Sequence, residues 1–190
     1  MASSSNYVPI AGVTVDIDPD GDAVLEIGST DVKGHLRVSS KVLALASPVF
    51  ATMFGPRFLE GNTLAQSKAP ITVPLPEDNP DAVTLLANIL HLQTNEVPTN
   101  PSLTTLEEFA VLCDKYDCSR AVRPWSMLWL QAYESHAGEM GYDVLLVIAY
   151  ALDLPQSFLK ISREIIIKRQ GPLTSFPPAE LLPEAVLGKA

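Results

Sequence analysis

Phe58 and Glu60 form a short pattern whose chemistry suits recognition rather than catalysis. An aromatic side chain can bury itself at an interface, and a carboxylate two residues later can accept hydrogen bonds beside it. Phe58 could instead pack onto the core of its own chain, because large apolar residues are usually buried. The pattern therefore predicts either a protein contact or a core residue.

Catalytic chemistry has no comparable pattern. The three histidines, His35, His91 and His136, lie in unrelated segments. Nucleophile-elbow, phosphate-loop and zinc-protease motifs are absent from the sequence. We therefore expect no enzyme, no metal site, no cofactor and no small-molecule substrate. A remote alternative is a hydrolase, hidden in the helical segment after residue 118, whose groups converge only in the folded chain.

The two cysteines, Cys113 and Cys118, are five positions apart in a helical stretch. This spacing places them well around the helix from each other, which is poor for a disulfide, and two ligands are too few for a structural zinc site. With few cysteines and no signal peptide, the sequence favours a reducing compartment. We expect an intracellular protein, in the cytoplasm, the nucleus or both.

Composition restricts the class of partner. The chain has 190 residues, of which 47% are hydrophobic and 18% charged, so it is long and apolar enough to bury a core. Its formal net charge of −9 argues against direct nucleic-acid binding, which needs clustered lysines and arginines. The longest apolar run, Val144 to Leu152, is too short to cross a bilayer. These features favour protein partners.

Two short helices separated by a proline should position the Phe58 pattern. Ser39 or Ser40 can cap the first helix, and Ser47 with Pro48 is a favoured start for the second. The second helix carries an apolar stripe and ends at Gly55-Pro56; its stripe residues are Val49, Phe50, Met53 and Phe54. We expect an irregular connection from Gly55 to Pro70, which contains Phe58.

Alternating apolar residues predict strands on both sides of this helix pair. Three strands, within 13–17, 23–27 and 35–38, precede it, and a fourth covers 71–75. We expect mostly antiparallel pairing, with a turn over 18–21 in which Gly21 supplies a positive φ.

Helices dominate the rest of the chain. Asn79 should cap a helix with Pro80 at its first position, and Thr104 with Glu107 suggests a capping box for a helix reaching about Tyr116. The sequence thus predicts an α+β fold.

The run from Gly21-Asp22 through VSSKVLALASPVFATMF to ITVPLPEDNPDAVTLLANILH resembles a BTB/POZ domain, particularly the fungal single-domain kind. The resemblance covers residues 13–118. It implies a small, mostly antiparallel sheet flanked by a cluster of helices, with a helical C-terminal extension. It also implies a module that self-associates and recruits partners as a scaffold.

The resemblance singles out a homodimer interface. Asp22 and Lys41 match acidic and basic positions that face a shared pocket across BTB dimers, and we expect Val42 and Leu45 to join them. The alternative is that Asp22 and Lys41 are solvated surface charges. Many family members carry histidine before the lysine, whereas this chain has Ser40.

The segment Phe58-Leu59-Glu60 also resembles the hydrophobic-any-Glu element with which some BTB domains engage a cullin scaffold. On this basis Met53, Phe54, Phe58 and Glu60 are candidate partner-binding residues. The alternative function is therefore that of a substrate adaptor for a cullin-type ubiquitin ligase.

Outside the BTB-like region we expect a flexible N-terminus (1–12), a helical extension (119–170) and a loosely attached, proline-rich tail (171–190). In the extension, Trp125 and Trp129 lie at i and i+4 and offer a large apolar surface. We expect this surface to be buried between the extension and the preceding domain rather than to face a partner.

Overall fold

The sheet has four strands in the part of the chain that the computed structural model describes, which is residues 14–29, 34–134, 142–168 and 182. Their bounds are Thr14–Asp16 (β1), Ala23–Ile27 (β2), Gly34–Val38 (β3) and Ile71–Leu75 (β4). The predicted N-terminal segment 1–12 and most of the tail lie outside the described residues.

The prediction of a mostly antiparallel sheet is wrong. The strand order is β1-β3-β2-β4, and the central pair β2 and β3 is antiparallel, but both outer pairs, β1 with β3 and β2 with β4, are parallel. Alternating side chains set which face of a strand is buried, and they carry no information on strand direction. The sheet is therefore mixed.

One face of the sheet is buried. Leu25 of β2, Leu36 of β3 and Val73 of β4 pair in register and are almost fully inaccessible to solvent. The intervening residues of these strands are half-buried or exposed. The sheet thus packs its buried face into the core formed with the helices, in agreement with the predicted α+β class.

Gly21 serves a purpose other than the predicted one. Its φ is not among the positive values, whereas that of Gly28 is 86°. A Cβ atom on Gly21 would lie 2.5 Å from the carbonyl oxygen of Val38, so the turn after β1 needs glycine for close approach to β3.

The predicted helix pair is present as α1 (Ser40–Ala46) and α2 (Pro48–Met53). The remaining α-helices of the described residues are Leu59–Gln66 (α3), Pro80–Leu90 (α4), Leu103–Lys115 (α5), Ser119–Glu134 (α6), Tyr142–Ala151 (α7) and Pro155–Lys168 (α8), with a 3₁₀ turn at Thr94–Glu96.

Side-chain caps begin the helices where the sequence predicts them for α1, α2 and α4. Ser39 Oγ accepts the Val42 N–H, Ser47 Oγ accepts the Phe50 N–H, and the Asn79 side chain accepts two N–H groups of α4. For α5 the predicted capping box is wrong, because Ser102 caps the helix by accepting the Thr105 N–H over 3.1 Å.

One further helix prediction needs correction. The segment after Gly55 is not irregular, because it contains α3. A proline, Pro124, lies inside α6. Arg120 and Pro124 are both exposed. Water can therefore satisfy the Arg120 carbonyl, which would otherwise accept the N–H that proline lacks.

The extension packs onto the BTB-like region through one continuous core. Trp129 is 1% exposed, stacks edge to face on Phe109 of α5, and donates its indole N–H to the carbonyl of Pro98 over 2.9 Å. Trp125 is partly buried beside it. Leu182, the one described residue of the tail, is also buried in this core. The predicted burial is thus confirmed for Trp129, whereas Trp125 is only partly buried.

No helix within the described residues combines the length and the apolar character that a membrane span requires.

Candidate functional site

Two neighbouring surfaces contain most of the residues that the sequence analysis selects. The first, the α1 face, consists of Lys41, Val42 and Leu45 on the outer side of α1. The second, the acidic groove, lies between α2, α3 and the end of α5. The groove has a volume of 520 Å³ and is lined by Pro48, Val49, Thr52, Met53, Phe58, Glu60 and Asp117.

The α1 face presents an exposed leucine. Leu45 is 90% exposed, although its helix is anchored in the core by Leu43, which is 1% exposed. Lys41 lies one turn before Leu45 on the same side and is also exposed, and Val42 is half-buried. An apolar side chain presented almost wholly to water is available for contact with another molecule.

Asp22 holds the beginning of α1. One carboxylate oxygen accepts the Ser40 backbone N–H over 2.7 Å, and the other accepts the Ser40 hydroxyl over 2.8 Å. Both oxygens of Asp22 therefore have partners within the same chain, and these bonds satisfy a donor that a helix N-terminus leaves open. Asp22 is half-buried at the start of α1.

His91 provides a second support for α1. Its Nε2 accepts the Ser39 backbone N–H over 3.0 Å, and its Nδ1 lies 2.9 Å from the Ala87 carbonyl, to which it can donate. This arrangement requires the neutral imidazole with the proton on Nδ1. The end of α4 is thereby joined to the start of α1, so His91 has a structural role.

Three of the four candidate partner-binding residues meet in the acidic groove. Met53 ends α2, Phe58 precedes α3, and Glu60 lies in the first turn of α3. Phe58 is 46% exposed, which favours the contact reading over the core reading. The fourth candidate, Phe54, is partly buried and stacks on Phe50 at 6.2 Å between ring centroids.

The groove depends on a close approach of α3 to the end of α2. A Cβ atom on Gly61 would lie 2.5 Å from the Phe54 carbonyl oxygen and nearer still to that of Gly55. Both are backbone atoms, so no side-chain rotation could relieve the clash. Because Phe58 provides no side-chain cap for α3, this packing holds the helix in place.

The sequence analysis missed Asp117, which brings a second carboxylate to the groove. It follows α5 with a φ of 48°, and its N–H bonds the Asp114 carbonyl over 3.1 Å. Aspartate is one of the few non-glycine residues that adopt this conformation readily. Its proximity to Glu60 depends on how α5 packs against α2, which no local pattern reports.

A buried polar network fixes the wall beside Asp117. Tyr116 donates its hydroxyl to Asp78 over 2.6 Å, and Lys115 forms an ion pair with the other oxygen of Asp78 over 2.7 Å. The Ser47 hydroxyl donates to the Tyr116 carbonyl, and the Tyr116 ring stacks on Phe50 at 4.4 Å. Burial first, and then the bond to Asp78, raises the pKa of Tyr116, so this hydroxyl stays protonated.

The described residues offer no group of histidine, cysteine, aspartate and glutamate side chains that could hold a metal ion. Cys113 and Cys118 are buried free thiols, and burial raises the pKa of Cys113. The acidic groove contains a hydroxyl, that of Thr52, but this donates to the Pro48 carbonyl over 2.8 Å, and no histidine lines the groove.

Comparison with known proteins adds no assignment, because no family model matches the chain and no curated protein matches it.

Proposed function

We propose that this chain is a BTB/POZ-type protein-interaction module that self-associates through the α1 face and recruits partners as a non-enzymatic, intracellular scaffold. The resemblance of residues 13–118 suggests this function. The observation that best supports it is Leu45, which is 90% exposed on a helix whose opposite side is buried.

Self-association would remove this leucine from water. In a two-fold symmetric dimer the α1 face of one copy meets the α1 face of the other. The Leu45 side chain of each copy would therefore be buried. Complete burial of a leucine contributes about 1.5–3 kcal/mol. The exposed Lys41 at the edge of the face would influence orientation more than affinity.

Light scattering on the purified chain tests the proposal. We expect the mass of a homodimer at micromolar concentration. A monomer throughout this range would contradict it.

A second candidate function is that of a substrate adaptor for a cullin-type ubiquitin ligase. The observation that favours it is that Phe58 and Glu60 line one groove and that Phe58 is 46% exposed. Adding a purified cullin N-terminal domain to the same experiment should yield a complex that Phe58→Ala weakens. The cullin proposal would fail if no complex forms or if Phe58→Ala binds with unchanged affinity.

A further inference from the structure

The floor of the acidic groove is apolar and accessible. Val49 is 36% exposed and Phe58 is 46% exposed, and Met53 lies between them in a partly buried position. The groove volume of 520 Å³ is within the range of about 300–1,000 Å³ that binding pockets occupy. Its shape and lining can accept an apolar side chain of a partner.

The charged residues that line this floor have one sign. Glu60 and Asp117 are the charged residues of the lining, and both are acidic. Lys115, which is close to Asp117 in the chain, forms an ion pair with the buried Asp78 and is directed to that partner. The groove therefore favours cationic groups and repels acidic ones.

The backbone at Asp117 determines where its carboxylate lies. Its φ of 48° lies in the left-handed region, which aspartate adopts more readily than most non-glycine residues do. The chain turns there after α5 and brings the carboxylate to the lining of the groove.

We propose that the acidic groove binds a segment of a partner protein in which an apolar side chain is flanked by lysine or arginine. The apolar side chain packs against Val49, Met53 and Phe58, and the cation bonds Glu60 and Asp117. Arginine suits this site best because its planar guanidinium can engage carboxylates with two parallel hydrogen bonds. The inference rests on the proposed binding function, but it requires neither the α1 dimer nor a cullin.

Selection from a phage-displayed random peptide library tests the specificity directly. We expect enriched peptides to share an apolar residue with lysine or arginine within a few positions. Enrichment of peptides that lack basic residues, or the absence of any enrichment, would overturn the proposal.

Fluorescence anisotropy with the most enriched peptide, labelled with fluorescein, then locates the site. Asp117→Asn and Glu60→Gln keep the shape of each side chain while removing its charge, and each should weaken binding about two- to fivefold. Phe58→Ala should weaken it about thirtyfold, as expected for a buried aromatic anchor.

Asp153→Asn is the matched control for Asp117→Asn. Asp153 is also exposed, also follows a helix, and has a φ of 51°, but it lies after α7 and does not line the groove. Its substitution should leave peptide affinity unchanged. Equal affinities for wild type, Asp117→Asn and Glu60→Gln would overturn the proposal.

Sedimentation of the same samples separates this proposal from the α1 dimer. Peptide binding by a monomer would contradict only the self-association proposal, whereas a dimer that binds no peptide would contradict only the groove proposal.

Discussion

Both carboxylate oxygens of Asp22 accept hydrogen bonds from Ser40, one from its backbone N–H and one from its hydroxyl. The resemblance implies that Asp22 faces a dimer pocket. In this structure its carboxylate bonds Ser40 at the start of α1, the helix that presents Leu45. Its contribution to self-association would therefore be to orient α1. If Asp22 positions α1, its substitution should lower the free energy of unfolding.

Asp22→Ala should lower the free energy of unfolding by about 1–3 kcal/mol, because the buried Ser40 loses the acceptor of its N–H. Urea unfolding followed by circular dichroism measures this change. Asp20→Ala is the control, because Asp20 is an exposed residue of the same turn. Equal stability of the two variants would show that the Asp22 bonds contribute nothing to the fold.

Gly61→Ala should displace α3, because the added methyl group would overlap two backbone carbonyl oxygens. Overpacking of this kind typically costs about 1–3 kcal/mol. Hydrogen exchange should report faster exchange in Leu59–Gln66 than in the wild type. Gln66→Ala, an exposed change in the same helix, should leave exchange in that segment nearly unaltered. Equal protection of Leu59–Gln66 from hydrogen exchange in both variants would mean that the close approach of α3 to α2 does not hold α3 in place.

Tyr116→Phe should destabilise the chain by about 1–3 kcal/mol at neutral pH, because it leaves the buried Asp78 without one of its donors. The stability difference should also depend on pH. Since the folded state raises the pKa of Tyr116, its contribution is fully present below the pKa of about 10 of an unfolded tyrosine and is lost as pH rises above that value.

Urea unfolding of wild type and Tyr116→Phe from neutral to alkaline pH tests this coupling. The stability difference should narrow above pH of about 10. Tyr150→Phe, which alters a tyrosine that is 42% exposed, provides the comparison. A difference that stays constant across this range would contradict a buried, protonated Tyr116.

Local sequence signals predict the starts of α1, α2 and α4 well because their determinants are local. Ser39, Ser47 with Pro48, and Asn79 with Pro80 each combine a side-chain acceptor with a backbone that can start a helix, and each of the helices begins there.

The features that sequence patterns miss depend on contacts between distant segments. The outer strands β1 and β4 run parallel to their partners, β3 and β2. The alternation of buried and exposed residues is the same for either strand direction, so it could not predict this. Helix α3 lacks a capping side chain and has one buried residue, Gly61, so its position depends on α2. Asp117 reaches the groove only because α5 ends beside α2.

Sedimentation equilibrium on wild type, Leu45→Asp and Ile166→Asp tests the proposed self-association most directly. Ile166 is a suitable control, because it is an isomer of leucine, is 79% exposed and lies on a distant helix, α8. We expect a dimer for wild type and Ile166→Asp. For Leu45→Asp the dissociation constant should rise more than about tenfold, because each copy loses the burial of a leucine. A monomeric wild type, or a dimer that Leu45→Asp leaves unchanged, would contradict self-association through the α1 face.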